Sequence, residues 1–131
     1  MGKPVTTTKI EESLINGIDE VSADLVVTKK VLIGAAIYAF GKLSPQEERC
    51  TLKAYLRFLG KGREYPLSTQ LPSGIYRIIK TRKELVGHPI KILFGAAIFR
   101  FLEELTSEGQ QLAIEEYLRH LRGNLFQLPD K

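Results

Sequence analysis

The decapeptide VLIGAAIYAF (residues 31–40) recurs as ILFGAAIFRF (residues 92–101), 61 positions further along the chain, with six of the ten residues identical. The correspondence extends toward the N terminus without a gap. Toward the C terminus it resumes after one inserted residue, where YLR at 55–57 aligns with YLR at 117–119. A repeat of this length indicates one supersecondary unit used twice. Two units are too few for a solenoid, so we expect a pair related by a pseudo-two-fold axis around a shared core.

The composition is that of one globular domain: 131 residues, 44% hydrophobic and 26% charged. The two apolar runs are too short for a membrane helix, so we expect no membrane association and a cytoplasmic location. The net charge of +4 is unevenly spread, being zero over residues 1–43 and +3 over residues 66–105. We therefore expect the second half to attract an anionic partner more strongly. A basic group there covers more than one helix face and should be solvated; it comprises Arg77, Lys80, Arg82 and Lys83.

Each repeat reads as a short strand followed by three helices. β-Branched residues predict a strand at 5–10, and its aligned counterpart is 66–71. Apolar residues at helical spacing follow each strand. Thr28 and Ser44-Pro45-Gln46-Glu47 are patterns typical of helix N-caps. We predict a single pseudo-symmetric domain over 1–131, with repeat 1 at 5–60, a linker at 61–65 and repeat 2 at 66–123.

Small residues interrupt both apolar runs, as Gly34-Ala35-Ala36 and Gly95-Ala96-Ala97. Glycine in a helix costs roughly 1 kcal/mol relative to alanine, so a close packing contact has to compensate it. The second helix of each repeat carries one of these runs, and we call these two the central helices. We predict that they cross each other at these residues. The single cysteine, Cys50, excludes an intrachain disulfide and aligns with Leu112, which predicts a small core residue.

Several segments resemble the ribbon–helix–helix family of DNA-binding proteins. They are the strand end TTKI at 7–10, the helical IDEVS at 18–22, and TKKVLIGAAI at 28–37, which is similar to the family's Ser-x-Ser-x-Leu-Ile-x-x-Ala-Ile step. The second repeat matches in register at 68–72, 75–79 and 89–98. The resemblance implies a mainly α fold with a short antiparallel β-ribbon, in which the duplicated strand–helix–helix–helix unit forms a pseudo-dimer within one chain. Tandem members of this kind occur among accessory proteins of conjugative plasmids. The family ribbon enters the major groove of double-stranded DNA.

Alternate ribbon residues are the candidate base contacts. If Ile10 and Leu71 point to the core, the period of two leaves four residues facing out: Thr7, Lys9, Ser68 and Gln70. Lysine suits guanine, glutamine suits adenine, and serine or threonine suits either. The starts of the central helices offer free N–H groups to phosphate. The candidate phosphate contacts there are Thr28, Lys29, Lys30, His88, Ile90 and Lys91.

No pattern of catalytic residues stands out, and His88 and His120 have no further ligand at metal spacing. We therefore expect no enzyme activity, no metal and no cofactor. The resemblance implies a transcriptional repressor or a plasmid or phage accessory factor, and assembly of further copies on DNA stays open. The alternative is a protein-interaction module that keeps the fold without specific DNA binding. Its partner would bind the acidic first helix of repeat 1 or the third helices. The ribbon distinguishes the two hypotheses, because Lys9 is its one outward charge.

Overall fold

The computed structural model describes residues 5–60 and 62–127. Within these ranges the chain is mostly helical, as predicted, and holds two strands and six α-helices, the fifth of which continues as a short π-helix. The order is strand, three helices, strand, three helices. The bounds are β1 (Val5–Glu11), α1 (Glu12–Leu25), α2 (Lys29–Phe40), α3 (Pro45–Phe58), β2 (Glu64–Gln70), α4 (Ser73–Val86), α5 (Ile90–Phe99), the π-helix (Arg100–Glu104) and α6 (Ser107–Gln127).

The two strands pair with each other in an antiparallel ribbon within one chain, which confirms the predicted pairing. The register runs from Val5 opposite Gln70 to Glu11 opposite Glu64. The second strand, β2, therefore begins at Glu64, inside the predicted linker 61–65, and its predicted start at Pro66 is wrong. Pro66 is tolerated within the strand because both strands of a two-stranded sheet are edges, where a missing N–H need not break a ladder.

The helix starts follow the capping patterns in the sequence. Thr28 Oγ1 accepts a hydrogen bond from the Val31 N–H at 3.1 Å. Ser44 and Glu47 form the predicted capping box, with N···O distances of 3.2 and 3.0 Å. The helix α6 continues through Gly123, the predicted last residue of repeat 2, to Gln127. A glycine ends a helix mainly where the backbone needs a positive φ, and Gly123 has none.

The central helices α2 and α5 form the middle of the core. Nearly every side chain from Leu32 to Ile37 and from Leu93 to Phe99 is buried. Both helices are apolar on all sides, so neither could face water along its length. The ribbon and the other helices surround them, and Ile10 and Leu71 at the two strand ends are fully buried against this core, as predicted.

The glycines of the central helices accommodate tyrosine rings rather than the helix crossing that we predicted. A Cβ on Gly34 would lie 2.3 Å from Tyr117 Oη, and a Cβ on Gly95 would overlap the Tyr55 hydroxyl. Tyr117 belongs to α6 and packs on α2, while Tyr55 belongs to α3 and packs on α5. The third helix of each half therefore packs into the central helix of the other half. Although α2 and α5 do contact each other, the contacts that require glycine are those with the tyrosines.

The π-helix lies where the alignment of the two halves requires one inserted residue. A single extra residue in an α-helix is accommodated by one wider turn of the π type. Leu102 in this turn packs against Gly17 of α1, where a Cβ would lie 2.8 Å from Leu102 Cδ1. The aligned pair reverses the sizes: Ile78 of α4 packs against Gly41, where a Cβ would lie 2.6 Å from Ile78 Cγ2. The large and small partners are thus exchanged between the halves.

Cys50 is exposed, so its predicted core position is wrong. The aligned residue Leu112 is also exposed, at 53%. Both lie on the outer side of a third helix. The buried side of α3 carries Thr51, Leu52 and Tyr55 instead.

Candidate nucleic-acid interface

The outer face of the ribbon carries the four predicted base contacts. Thr7, Lys9, Ser68 and Gln70 are all exposed. Thr69 on the inner face is buried, as period-two alternation requires. The structure therefore places the four predicted side chains on the outer face of the ribbon.

The middle of this face is the pair of Thr7 and Ser68. They are directly opposite in the register, and their hydroxyl oxygens lie 2.9 Å apart in a hydrogen bond. Lys9 lies two residues from this pair along β1, and Gln70 lies two residues from it along β2, toward the opposite end. In the part of the chain that the structure describes, no hydrogen bond or ion pair holds the side chain of Lys9 or Gln70. Both are free to contact a ligand.

The start of α2 holds the first group of predicted phosphate contacts. Thr28 and Lys30 are exposed, and the Thr28 hydroxyl already serves the helix as its N-cap. Lys29 Nζ lies 2.8 Å from Asp19 Oδ1 of α1, with both side chains about half exposed. Among the described polar contacts, none links this helix start to the ribbon.

The start of α5 holds the second group and does reach the ribbon. Lys91 Nζ lies 2.8 Å from Glu64 Oε1 at the first residue of β2. This ion pair places the start of α5 at the ribbon end that carries Lys9, since Glu64 is two positions beyond Pro66, the partner of Lys9. His88 and Ile90 are both partly buried beside it. Pro89 is the N-cap and gives no side-chain hydrogen bond, so the N–H groups of this first turn have no side-chain cap.

A carboxylate of the protein thus neutralises one lysine at each helix start. Asp19 lies at α2 and Glu64 at α5, and the two acids do not align with each other in the repeats. Exposed ion pairs of this kind contribute only about 0–1 kcal/mol, so an incoming phosphate could displace either carboxylate. The acids lower the positive potential that the lysines alone would create.

Arg82 is the charged residue whose role the sequence failed to predict. We expected it to be solvated, but its side chain is only 20% exposed. Its guanidinium donates to the Gly41 carbonyl at 3.1 Å, just past the end of α2, and lies 3.4 Å from Glu48 Oε1. A cation suits the negative end of a helix. Arg82 therefore links α4 to the end of α2 and to α3, and does not belong to an exposed basic patch.

Two open clefts adjoin the π-helix and share Leu43, Glu47, Arg100 and Leu105 in their walls. Their volumes are about 310 and 400 Å³. Both hold charges of mixed sign. Within the described ranges no three histidine, cysteine or acidic side chains come together as a metal site would require.

The two buried tyrosines, Tyr55 and Tyr117, both have a raised pKa. Burial, with a smaller contribution from Glu11 and Glu64, raises the pKa of Tyr55 to about 12. Burial also raises the pKa of Tyr117. Both rings are therefore neutral at physiological pH and serve as packing groups against the glycines of the central helices.

Comparisons of the chain with protein-family models, with curated proteins and with solved structures gave no match. In the described segments no single helix has the length and apolar character to cross a membrane. The pair formed by α4 and by α5 with its π-helical extension meets that test together, but it is bent by 114°, and α5 lies in the protein core.

Proposed function

We propose that this chain binds double-stranded DNA as a single-chain ribbon–helix–helix protein, with the outer face of the ribbon in the major groove. The observation that carries the proposal is the paired, exposed and polar outer face centred on Thr7 and Ser68. The major groove is about 12 Å wide and admits a two-stranded ribbon. Lys9 and Gln70 then read base edges on either side of the central pair.

Reciprocal packing between the halves supports the pseudo-dimer in this proposal. Tyr117 fills the space at Gly34, and the aligned Tyr55 fills the space at Gly95. The pairs of Gly17 with Leu102 and of Ile78 with Gly41 are reciprocal in the same way, with the sizes exchanged. Two halves that pack by exchanged contacts need each other to fold, so one chain supplies the whole binding unit.

The helix starts act as phosphate clamps beside the ribbon in this scheme. Free N–H groups and the positive end of the helix dipole favour an anion there. Lys30 adds charge at α2, and Lys29 does so once a phosphate displaces Asp19. Lys91 adds charge at α5 in the same way, once a phosphate displaces Glu64. These contacts position the protein, whereas the ribbon residues provide sequence preference.

The biological role that follows is a cytoplasmic, non-catalytic DNA-binding protein, either a transcriptional repressor or an accessory factor of a plasmid or phage. Further copies would assemble side by side on adjacent sites. No cofactor takes part in this scheme.

A protein-interaction module is the second candidate. It is favoured by the low positive charge of the ribbon, whose two described strands carry one basic residue, Lys9, and an exposed acid, Glu64. It is also favoured by Leu56 and Leu112, which are 44% and 53% exposed on the third helices. In that case the partner would cover α3 and α6, or the acidic α1, and the ribbon would be a structural element only.

The salt dependence of DNA binding distinguishes the two candidates. The full chain is titrated with a mixed-sequence duplex at several salt concentrations, next to Lys30→Ala and the control Lys53→Ala on α3. We expect measurable binding that weakens with salt, and a slope of log K against log salt that Lys30→Ala reduces by about one unit. Lys53→Ala should leave the slope unchanged. No binding at low salt, or equal effects of both variants, would contradict the proposal.

A further inference from the structure

We infer that the chain recognises a non-palindromic DNA site with a fixed direction, in which a guanine is read at one end of the ribbon and an adenine at the other. The inference rests on the proposed function. It follows from the chemistry of the two residues that flank the central pair. A ribbon of two identical strands would present the same residue at both ends, whereas this one presents Lys9 at one end and Gln70 at the other.

The register fixes the distance between the two reading positions. Lys9 and Gln70 each lie two residues from the pair of Thr7 and Ser68, in opposite directions. At about 3.4 Å per residue, four residues correspond to roughly 14 Å along the ribbon. Since base pairs are stacked roughly 3.4 Å apart, the two reading positions lie about four base pairs apart.

The two side chains cannot read the same base equally well. The Lys9 ammonium has three donors and no acceptor, so it suits the two acceptors of guanine, O6 and N7. The Gln70 amide has both a donor and an acceptor, so it matches adenine, which offers the N7 acceptor and the N6 donor. Both side chains are exposed and are not held by a hydrogen bond or ion pair in the described part of the chain.

The acids that pair with the lysines of the two helix starts also lie in different places. Lys9 lies opposite Pro66, and beyond that pair Glu64 holds Lys91 at the start of α5. The phosphate clamp at the Lys9 end therefore includes an acid on the ribbon itself. At the start of α2 the acid is Asp19, which lies on α1 and not on the ribbon. The two helix starts therefore differ in where the neutralising acid lies, and the Lys9 end of the ribbon carries an acid of its own.

Selection from a randomised duplex library tests this inference. The full chain is compared with Lys9→Gln and Gln70→Lys, two exposed substitutions that make the ends of the ribbon alike. We expect the unaltered chain to select a directional site with guanine and adenine about four base pairs apart. Lys9→Gln should select adenine at both ends, and Gln70→Lys should select guanine at both ends. Exchanging either preferred base should weaken binding of the unaltered chain about 5- to 150-fold.

The outcomes separate this inference from the proposed function. A palindromic site for the unaltered chain would overturn the inference, as would a selected site that neither substitution changes. Binding without any selected sequence would also overturn it, while DNA binding itself would stand. If neither the unaltered chain nor the variants bind DNA at low salt, the proposed function fails. Circular dichroism of the three proteins establishes that each is folded before selection.

Discussion

Gly34→Ala tests the packing between the two halves of the chain. The added Cβ would lie 2.3 Å from Tyr117 Oη and 2.4 Å from Tyr117 Cζ, where ordinary contacts begin near 3.4 Å. The ring is buried and cannot swing into solvent. Overpacking of this kind typically costs about 1–3 kcal/mol, and the gain in helix propensity offsets up to about 1 kcal/mol. Because the overlap is severe, the upper end of this cost applies, and we expect a net loss of about 2 kcal/mol in the free energy of unfolding.

Urea denaturation followed by circular dichroism measures this loss. The matched control is Gly123→Ala in α6, where no atom of the described residues beyond the helix's own nearby backbone lies within 4 Å of the added Cβ. That variant should gain up to about 1 kcal/mol from helix propensity alone. Combining Gly34→Ala with Tyr117→Ala should cost less than the sum of the single changes, since the clash is then absent. If Gly34→Ala stabilises the chain as Gly123→Ala does, the packing described here is wrong.

Three further predictions concern the turn, the helix starts and the buried rings. Val26 has a φ of 56° and is 88% exposed, while the aligned Gly87 has a φ of 77°. Because a β-branched residue is strained at a positive φ, Val26→Gly should raise the free energy of unfolding by about 1 kcal/mol, and a lower urea midpoint would contradict this. Asp19→Asn frees Lys29 and should strengthen binding to mixed-sequence DNA about two- to five-fold at low salt. Unchanged affinity would show that Asp19 has no effect on DNA binding. The pKa of Tyr55 is raised, so the folded state holds that proton more tightly than the unfolded state does. The contribution of the neutral Tyr55 to the free energy of unfolding is therefore fully present below about pH 10 and should be lost as the pH rises toward about 12. Urea titrations at several pH values should show this loss, and Tyr55→Phe should weaken it.

The sequence predicted the parts of the fold that depend on local patterns. β-Branched residues located the first strand, and the repeat located the second strand although not its start. The capping residues Thr28 and Ser44 located two helix starts. The repeat also indicated that the strands pair within one chain. The outward ribbon residues followed from the period of two along each strand, since Ile10 and Leu71 are buried as expected.

The errors about packing around the central helices and about the charged residues involve contacts between different elements of the fold. The glycines of the central helices indicated a close approach, but the sequence does not show that Tyr117 and Tyr55 come from the opposite half to fill the space. Arg82 looked solvated because its acceptors, the Gly41 carbonyl and Glu48, come together only in the folded chain. The ion pairs that neutralise lysines at the helix starts were missed for the same reason.

Amide chemical shifts of the labelled full chain, recorded with and without a mixed-sequence duplex at low salt, test DNA binding by the ribbon most directly. The account predicts that the largest changes fall on the ribbon, at Thr7, Lys9, Ser68 and Gln70, with further changes at the starts of α2 and α5. These positions share one face only if the strands pair as described. An unchanged spectrum, or changes confined to α3 and α6, would contradict it.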